Sequence, residues 1–208
     1  MQSALTKLGL KCTRLLDATK RQMTDAITAF IESLKHSDVV FIYYSGHGED
    51  SAGSTYLLPT DYGSSKSLVD DAVSLNDLMQ RLNHLNCNLI NIIVLDCCRA
   101  NEDDSTFRGS SRSASSARAP SDSFVRRPTS GQFFIAFSAD PGTVAQESER
   151  NGWFTGCLLE HLLTPGLRLT DVFHHAADAL QKKAEGEQRA WVNQTPGTKL
   201  GHFVNRES

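Results

Sequence analysis

Residues 39–48 read VVFIYYSGHG, and residues 91–100 read NIIVLDCCRA. Each segment is a run of apolar, β-branched and aromatic residues that ends at residues able to do chemistry. Short runs that are apolar on both faces are typical of buried parallel strands, and functional groups gather at the carboxyl ends of such strands. The two segments therefore predict that His47 and Cys98 meet at one edge of a sheet.

A cysteine paired with a histidine is typical of nucleophilic catalysis. Cys98 follows His47 by 51 residues, and a thiol needs a nearby base to form the reactive thiolate near neutral pH. His47 can take that proton and later return it to a leaving amine. Glycines on both sides of His47 let the main chain approach a substrate closely. The N–H groups of Gly48 and Cys98 are therefore predicted to form an oxyanion hole.

Length, charge and cysteine content limit the class of protein. The 208 residues suit a single domain, and the net charge of −3 gives no electrostatic reason to expect nucleic acid or a membrane surface as a partner. The sequence has neither an apolar run long enough to span a bilayer nor the pattern of a secretory leader. Five cysteines are an odd number and lack C-x-x-C spacing, which favours a reducing, cytoplasmic location over a disulfide framework or a zinc knuckle.

Apolar periodicity predicts alternating helices and strands. Helices are predicted over residues 1–8, 21–34, 75–85, 152–163 and 170–185, and strands over residues 11–16, 39–44, 56–59, 91–95, 132–137 and 200–204. Strands that alternate with helices are typical of an α/β domain with a mostly parallel sheet between two helical layers. The fold class predicted is therefore three-layer α/β/α.

One stretch interrupts this alternation. Residues 101–131 are rich in Ser and Arg and contain almost no apolar side chains. Such a segment cannot bury enough surface to offset the entropy of ordering it. We therefore expect a mobile surface loop between the predicted strands at residues 91–95 and 132–137.

The two chemistry-bearing segments resemble a known family. The sequences YYSGHG at residues 43–48 and LDCCR at residues 95–99 are similar to the caspase-like cysteine peptidases of the C14 type, nearest to the metacaspase and paracaspase branches. Residues 57–61 (LLPTD), 151–155 (NGWFT) and 194–196 (QTP) are also similar to that family. The resemblance implies a single caspase-like domain over residues 1–208 with a six-stranded, mostly parallel sheet.

The resemblance also implies an arrangement in two halves and an activity. Residues 1–100 correspond to a large-subunit-like half and residues 132–208 to a small-subunit-like half. The implied activity is that of a cysteine endopeptidase with a Cys–His dyad. In the family the nucleophile lies two residues after an aspartate and directly before His or Arg, which assigns the role to Cys98 and leaves Cys97 as its neighbour.

Acidic residues suggest the substrate. Asp96 stands two residues before Cys98, where caspases that cut after aspartate have glutamine, and Glu147 matches the position of a second acidic pocket residue in paracaspases. Two carboxylates in a partly desolvated pocket bind a guanidinium and reject an acidic side chain. The expected cleavage is therefore after Arg, then Lys, in protein or peptide substrates. The alternatives are that Asp96 is a cap at the strand end and that Glu147 is a solvated loop residue.

The arginines of the loop offer a substrate within the chain itself. Arg112, Arg118 and Arg127 are candidate self-cleavage sites, the alternative being an uncut variable loop. No cofactor and no bound metal are expected. Calcium activation, common among metacaspases, is left open by the acidic residues 102–104, which could ligate a hard cation or be merely solvated.

The chain also departs from the family. Its first residues already resemble the helix that follows the family's first strand, so that strand and a third acidic pocket residue are expected to be missing. A catalytically inactive interaction or regulatory module is therefore an alternative function, and a homodimer is compatible with either. A cysteine hydrolase of another kind would explain the pair of His47 and Cys98 but not Asp96.

Overall fold

The computed structural model describes residues 1–34, 39–51, 53–63, 67–85, 90–97, 131–140, 152–198 and 201. Its helices are α1 (Gln2–Lys7), α2 (Lys20–Ser33), α3 (Leu68–Asp71), α4 (Leu75–Leu85), α5 (Trp153–His161) and α6 (Leu169–Lys183). Its strands are β1 (Val39–Gly46), β2 (Gly48–Ser51), β3 (Ser54–Leu57), β4 (Val73–Ser74), β5 (Ile90–Cys97), β6 (Gln132–Phe137) and β7 (Trp191–Gln194).

The central sheet has the strand order β1, β5, β6, β7 within the described residues. Strands β1, β5 and β6 run parallel, and β7 runs antiparallel to β6. Every residue of β5 from Asn91 to Cys97 is buried, as is typical of a parallel strand with helices over both of its faces. The predicted mostly parallel sheet is confirmed, although this part of the chain supplies four of the six strands that the resemblance implies.

Helices cover the two faces of the sheet and create two separate apolar cores. Along β5, Ile92 and Val94 pack with residues of α1, α5 and α6, whereas Ile93 and Leu95 pack with residues of α2 and α4. Successive side chains of a strand point to opposite faces, so one apolar run supplies both cores. The three-layer α/β/α architecture is therefore confirmed.

The helices over the second core begin and bury their apolar faces as the sequence predicts. Helix α2 begins at a capping box: the Thr19 side chain accepts from the Gln22 main chain, and the Gln22 side chain accepts from the Thr19 N–H across 2.9 Å. On α4 the buried side chains recur at helical spacing, and these are Leu75, Leu78, Met79 and Leu82.

A second, smaller sheet follows β1 directly. Strands β2, β3 and β4 are antiparallel and lie in that order. Within it, the buried Thr55 hydroxyl donates to Asp50 Oδ1 across 2.7 Å. Because β2 begins at Gly48, this sheet fixes the main chain immediately after His47.

The structure contradicts one predicted strand and adds a strand to the central sheet that was not predicted. Residues 11–16 form no strand, and Leu15 and Leu16 are 45% and 64% exposed. A strand needs a neighbour to satisfy its main-chain groups, and no described strand pairs with this segment. Strand β7 was not predicted, because its four residues, two apolar and two polar, are too few to show a strand pattern, and only the pairing with β6 reveals it. Of the strand predicted over residues 200–204, only Gly201 is described.

Among the helices that the structure describes, none has the length and apolar character needed to cross a bilayer.

Candidate functional site

The parallel register of β1 and β5 brings the two chemistry-bearing segments to the same edge of the sheet. Gly46, the last residue of β1, is paired with Cys97, the last residue of β5. Neighbouring strands lie about 4.8 Å apart. His47 is the next residue of the chain after Gly46, and Cys98 is the next after Cys97, although Cys98 itself lies outside the described residues.

His47 is exposed at this edge, and its main chain is held by two hydrogen bonds. The carbonyl oxygen of His47 accepts from the Tyr44 hydroxyl across 2.7 Å and from the Leu58 N–H across 3.0 Å. One donor comes from β1 and the other from the residue that follows β3. The turn that presents the imidazole is therefore fixed on both sides.

Gly46 makes room for the Tyr44 side chain. A Cβ on Gly46 would lie 2.7 Å from Tyr44 Oη and 3.0 Å from Cζ, and the hydroxyl also donates to the Leu58 carbonyl across 2.9 Å. Burial raises the pKa of Tyr44 well above its usual value, so the phenol keeps its proton and remains a donor at neutral pH. The glycine before His47 is thus required by tyrosine packing as well as by any approach of substrate.

The Gly48 N–H points away from the strand that pairs with β2. His47 and Leu58 occupy a hydrogen-bonded position of the antiparallel ladder, as the 3.0 Å bond between them indicates. The next pair, Gly48 with Leu57, is therefore a non-hydrogen-bonded pair, whose N–H groups face outward. Since β2 is at the edge of its sheet among the described strands, this N–H makes no ladder hydrogen bond within that sheet.

Asp96 is buried and faces the first turn of α5. Its Oδ2 accepts hydrogen bonds from the main-chain N–H of Thr155, across 3.1 Å, and from the Thr155 hydroxyl. The N-cap of α5 is Gly152, which has no side chain to cap the helix. The Asp96 carboxylate of β5 supplies that cap instead. Its negative charge interacts favourably with the positive end of the helix dipole.

Gly152 and Asp96 are packed so closely that only glycine fits. A Cβ on Gly152 would overlap the carboxylate and lie 2.5 Å from Asp96 Cγ. The capping role that was the alternative interpretation of Asp96 is therefore present, although the cap serves a helix of another segment. Its predicted role in substrate binding concerns the same carboxylate and stays a prediction.

Cys97 belongs to the core that α2 and α4 cover, on the face of the sheet opposite to Asp96. It is 2% exposed and lies in the apolar cluster that includes Leu95 and residues of α2 and α4. A buried thiol in apolar surroundings is inert. This burial disfavours Cys97 as a nucleophile.

Several predicted site features lie outside the described residues. They are Cys98, Glu147, the acidic residues 102–104 and the candidate self-cleavage sites Arg112, Arg118 and Arg127. Within the part of the chain that is described, no group of three or more His, Cys, Asp or Glu side chains is placed to hold a metal ion.

Sequence reasoning missed four residues that shape this edge of the sheet. Tyr43, Tyr44, Gly152 and Thr155 all lie in segments quoted for the family resemblance, YYSGHG and NGWFT, but none was assigned a role. The available signal was the pairing of a glycine N-cap with a threonine at the third helical position, since a glycine cap leaves helix N–H groups that need an acceptor from elsewhere.

Comparison with known proteins links the chain to one family. The profile of the peptidase C14 family, described as the caspase domain, matches residues 1–200. The human mucosa-associated lymphoid tissue lymphoma translocation protein 1 is 25% identical over 103 residues, as is its mouse homologue. The aligned region is 50% of this chain but only 12% of each relative.

Two solved structures share the fold. Caspase-1 from Spodoptera frugiperda superposes with a TM-score of 0.66 at 20% identity, covering 99% of this chain and 80% of that one. A protein from Geobacter sulfurreducens superposes with a TM-score of 0.60 at 15% identity, covering 90% of this chain and 79% of that one. At such identities the likeness concerns the fold alone.

Proposed function

This chain belongs to the caspase-domain family of peptidases, and from that premise we propose that it is a cysteine endopeptidase that cleaves after basic residues, arginine before lysine. The observation that carries the proposal is the register of Gly46 with Cys97. It makes His47 and Cys98 the next residues after two paired positions of adjacent parallel strands.

In the proposed mechanism Cys98 is the nucleophile. His47 accepts the thiol proton, and the thiolate attacks the scissile carbonyl carbon. The oxyanion that forms accepts hydrogen bonds from the N–H groups of Gly48 and Cys98. Collapse of this intermediate breaks the C–N bond, and the proton on His47 goes to the leaving amine. A water molecule deprotonated by His47 then hydrolyses the thioester, which returns the proton to the thiol.

The orientation of Gly48 and the fixing of His47 support these roles. The outward N–H of Gly48 costs the β2–β3 ladder no hydrogen bond. The His47 carbonyl is held by one donor from β1 and one from the residue that follows β3. A preorganised donor and base need no rearrangement during the reaction, and removal of one oxyanion donor typically costs about 2.7–4 kcal/mol.

Asp96 and Glu147 are proposed to bind the basic side chain of the substrate. Asp96 supports this because it is a buried carboxylate at the carboxyl end of β5, with both of its described bonds on Oδ2. A carboxylate in such a place attracts a cationic side chain and disfavours an acidic one. Glu147 is included on the family resemblance.

The remaining parts of the proposal follow from the same chemistry. Hydrolysis by a thiolate and an imidazole uses no cofactor. The proposed partners are protein or peptide substrates with basic residues and a second copy of the chain, without nucleic acid or membrane.

The proposed location is the cytoplasm, since the odd number of cysteines suits a reducing compartment. Residues 101–131 are proposed as a mobile loop that the enzyme cuts at Arg112, Arg118 or Arg127.

The test is hydrolysis of a fluorogenic peptide ending in Arg, beside its Lys-ending and Asp-ending twins, with and without calcium. We expect turnover of the Arg and Lys peptides, and a loss of at least about 10³-fold in kcat for Cys98→Ala and His47→Ala. Cys97→Ala is the matched control, because it removes an adjacent thiol that is buried in the core between the sheet and helices α2 and α4. Activity of Cys97→Ala with inactivity of Cys98→Ala would identify the nucleophile.

Other outcomes would point elsewhere. A folded protein that neither turns over the Arg peptide nor is labelled by an arginine chloromethyl ketone would support the inactive interaction module. Turnover of the Asp peptide alone would overturn the roles of Asp96 and Glu147. Self-cleavage is read separately, by intact mass after prolonged incubation of the wild type and of Cys98→Ala.

A further inference from the structure

Thr155 joins the Asp96 carboxylate to a tyrosine of the neighbouring strand. The Tyr43 hydroxyl lies 2.7 Å from Thr155 Oγ1, and Thr155 Oγ1 bonds to Asp96 Oδ2. Tyr43 belongs to β1, Asp96 to β5 and Thr155 to α5. One chain of hydrogen bonds therefore joins three elements that meet only in the folded protein.

The direction of this hydrogen-bond chain follows from counting protons. Asp96 Oδ2 accepts from the Thr155 N–H as well, so the carboxylate is the acceptor. Thr155 has one hydroxyl proton and gives it to Asp96, which leaves a lone pair on Oγ1 for Tyr43. Tyr43 is therefore the donor of the 2.7 Å bond. Burial raises the pKa of Tyr43 above its usual value, so the phenol keeps the proton that it donates.

The two donors of Thr155 fix the orientation of the Asp96 carboxylate. Its N–H and its hydroxyl reach the same oxygen, Oδ2, while the missing side chain of Gly152 allows the close approach. Rotation about the Cβ–Cγ bond of Asp96 would break at least one of these bonds. The carboxylate plane is thus held in one orientation.

A fixed plane matters more to one basic side chain than to the other. A guanidinium is planar and presents its N–H donors in a rigid fork, so it gains most from a carboxylate held at a matching angle. An ammonium is a compact charge with rotatable donors, and it tolerates a carboxylate that turns. Orientation of Asp96 therefore affects discrimination between arginine and lysine more than attraction of positive charge.

We propose that Thr155 is a positioning residue that orients Asp96 and thereby sets the preference for arginine over lysine. This inference rests on the proposed function, in which Asp96 binds the basic side chain of the substrate. Tyr43 acts one step further away, by donating to the hydroxyl that Asp96 uses.

The test compares Thr155→Val, which removes the hydroxyl at nearly constant shape, with Thr155→Ser, which keeps it. For Thr155→Val we expect KM for the Arg peptide to rise roughly ten-fold, the order expected of one hydrogen bond to a charged group. We expect kcat and the KM for the Lys peptide to change by less than about two-fold. Thr155→Ser should restore most of the preference, and Tyr43→Phe should weaken it less than Thr155→Val.

Thr55→Val is the matched control. It removes another buried threonine hydroxyl that donates to an aspartate, Asp50, in the β2–β3 hairpin. Both valine variants should lose thermal stability, so a kinetic change in Thr155→Val alone separates positioning from general destabilisation. Thermal melts accompany the kinetics.

The outcomes distinguish this inference from the proposed function. A wild type without Cys98-dependent cleavage after Arg overturns both. If the wild type cleaves after Arg but Thr155→Val has the wild-type ratio of the KM for Arg to the KM for Lys, or the same ratio as Thr55→Val, the role of Thr155 alone is overturned. If Thr155→Val loses the preference for the Arg peptide over the Lys peptide and Thr155→Ser retains most of it, the role of Thr155 is supported.

Discussion

The hydroxyl of Tyr44 donates a hydrogen bond to the carbonyl oxygen of His47 across 2.7 Å. The tyrosine thus holds the turn that presents the histidine only three residues later. The ring passes over Gly46, and its hydroxyl hydrogen is shared with the Leu58 carbonyl. The position of the His47 main chain therefore depends on a tyrosine side chain of β1.

Gly46→Ala is expected to displace Tyr44 and destabilise the protein. The new Cβ would lie 2.7 Å from Tyr44 Oη, and overpacking of this kind costs about 1–3 kcal/mol. Tyr44→Phe should cost about 1 kcal/mol for the lost hydrogen bond. Urea denaturation of the single and double variants measures the coupling. Because Phe lacks the atom that is struck, the double variant should cost less than the sum; additive costs would contradict the contact.

Gly152→Ala and Gly156→Ala should have opposite effects on stability. At Gly152 a Cβ would overlap the Asp96 carboxylate and push a buried charge off its donors, at a cost of about 1–3 kcal/mol. At Gly156, inside α5, a Cβ would meet nothing within 4 Å, so alanine should gain up to about 1 kcal/mol of helix propensity. Thermal unfolding measures both, and equal signs would contradict the close packing of Gly152 and Asp96.

Stability is expected to fall as the pH rises above about 10. Burial raises the pKa of both Tyr43 and Tyr44 above the ordinary tyrosine value of 10.0. Below pH 10 the phenols are protonated in both states, and their contribution to stability is fully present. Above it they ionise first in the unfolded chain, so the contribution is lost as the pH rises towards the folded-state pKa values.

The measurement is the free energy of unfolding between pH 8 and pH 11 for the wild type, Tyr43→Phe and Tyr44→Phe, with these limits chosen to bracket the ordinary tyrosine pKa. In each phenylalanine variant the free energy of unfolding should fall less steeply as the pH rises. If both variants show the same fall as the wild type, groups other than these tyrosines cause it.

Thr19→Ala should destabilise the protein by about 1 kcal/mol, because it removes the side-chain acceptor of the capping box of α2. Thr24→Ala is the control on the same helix. Thr24 is exposed and takes no part in the cap, so alanine should gain a few tenths of a kcal/mol of helix propensity there, roughly. Denaturant melts that place both variants on the same side of the wild type would contradict this assignment.

Much of the fold could be predicted because local pattern and tertiary environment agree. The apolar run of β5 is buried on both faces, and α4 buries the side chains that its helical spacing predicts. The prediction of a strand over residues 11–16 was wrong for the opposite reason. This segment has no described strand to pair with, and its side chains Leu15 and Leu16 are exposed. Strand β7 has only four residues, two of them apolar, and only its pairing with β6 makes it a strand.

The sequence alone determined where the apolar runs of two strands end, because a strand of a parallel sheet needs a continuous apolar run. That is sufficient to place His47 and Cys98 as candidates and to indicate the three-layer fold. Of these two strands, β5 is buried, whereas β1, at the edge of the described sheet, is mostly half-buried. Only the tertiary structure decided the register of Gly46 with Cys97, the packing of Tyr44 over Gly46 and the capping of α5 by Asp96. The first and the last of these relations join residues from different elements, and the energy of all three depends on distances that no local pattern of residue types contains.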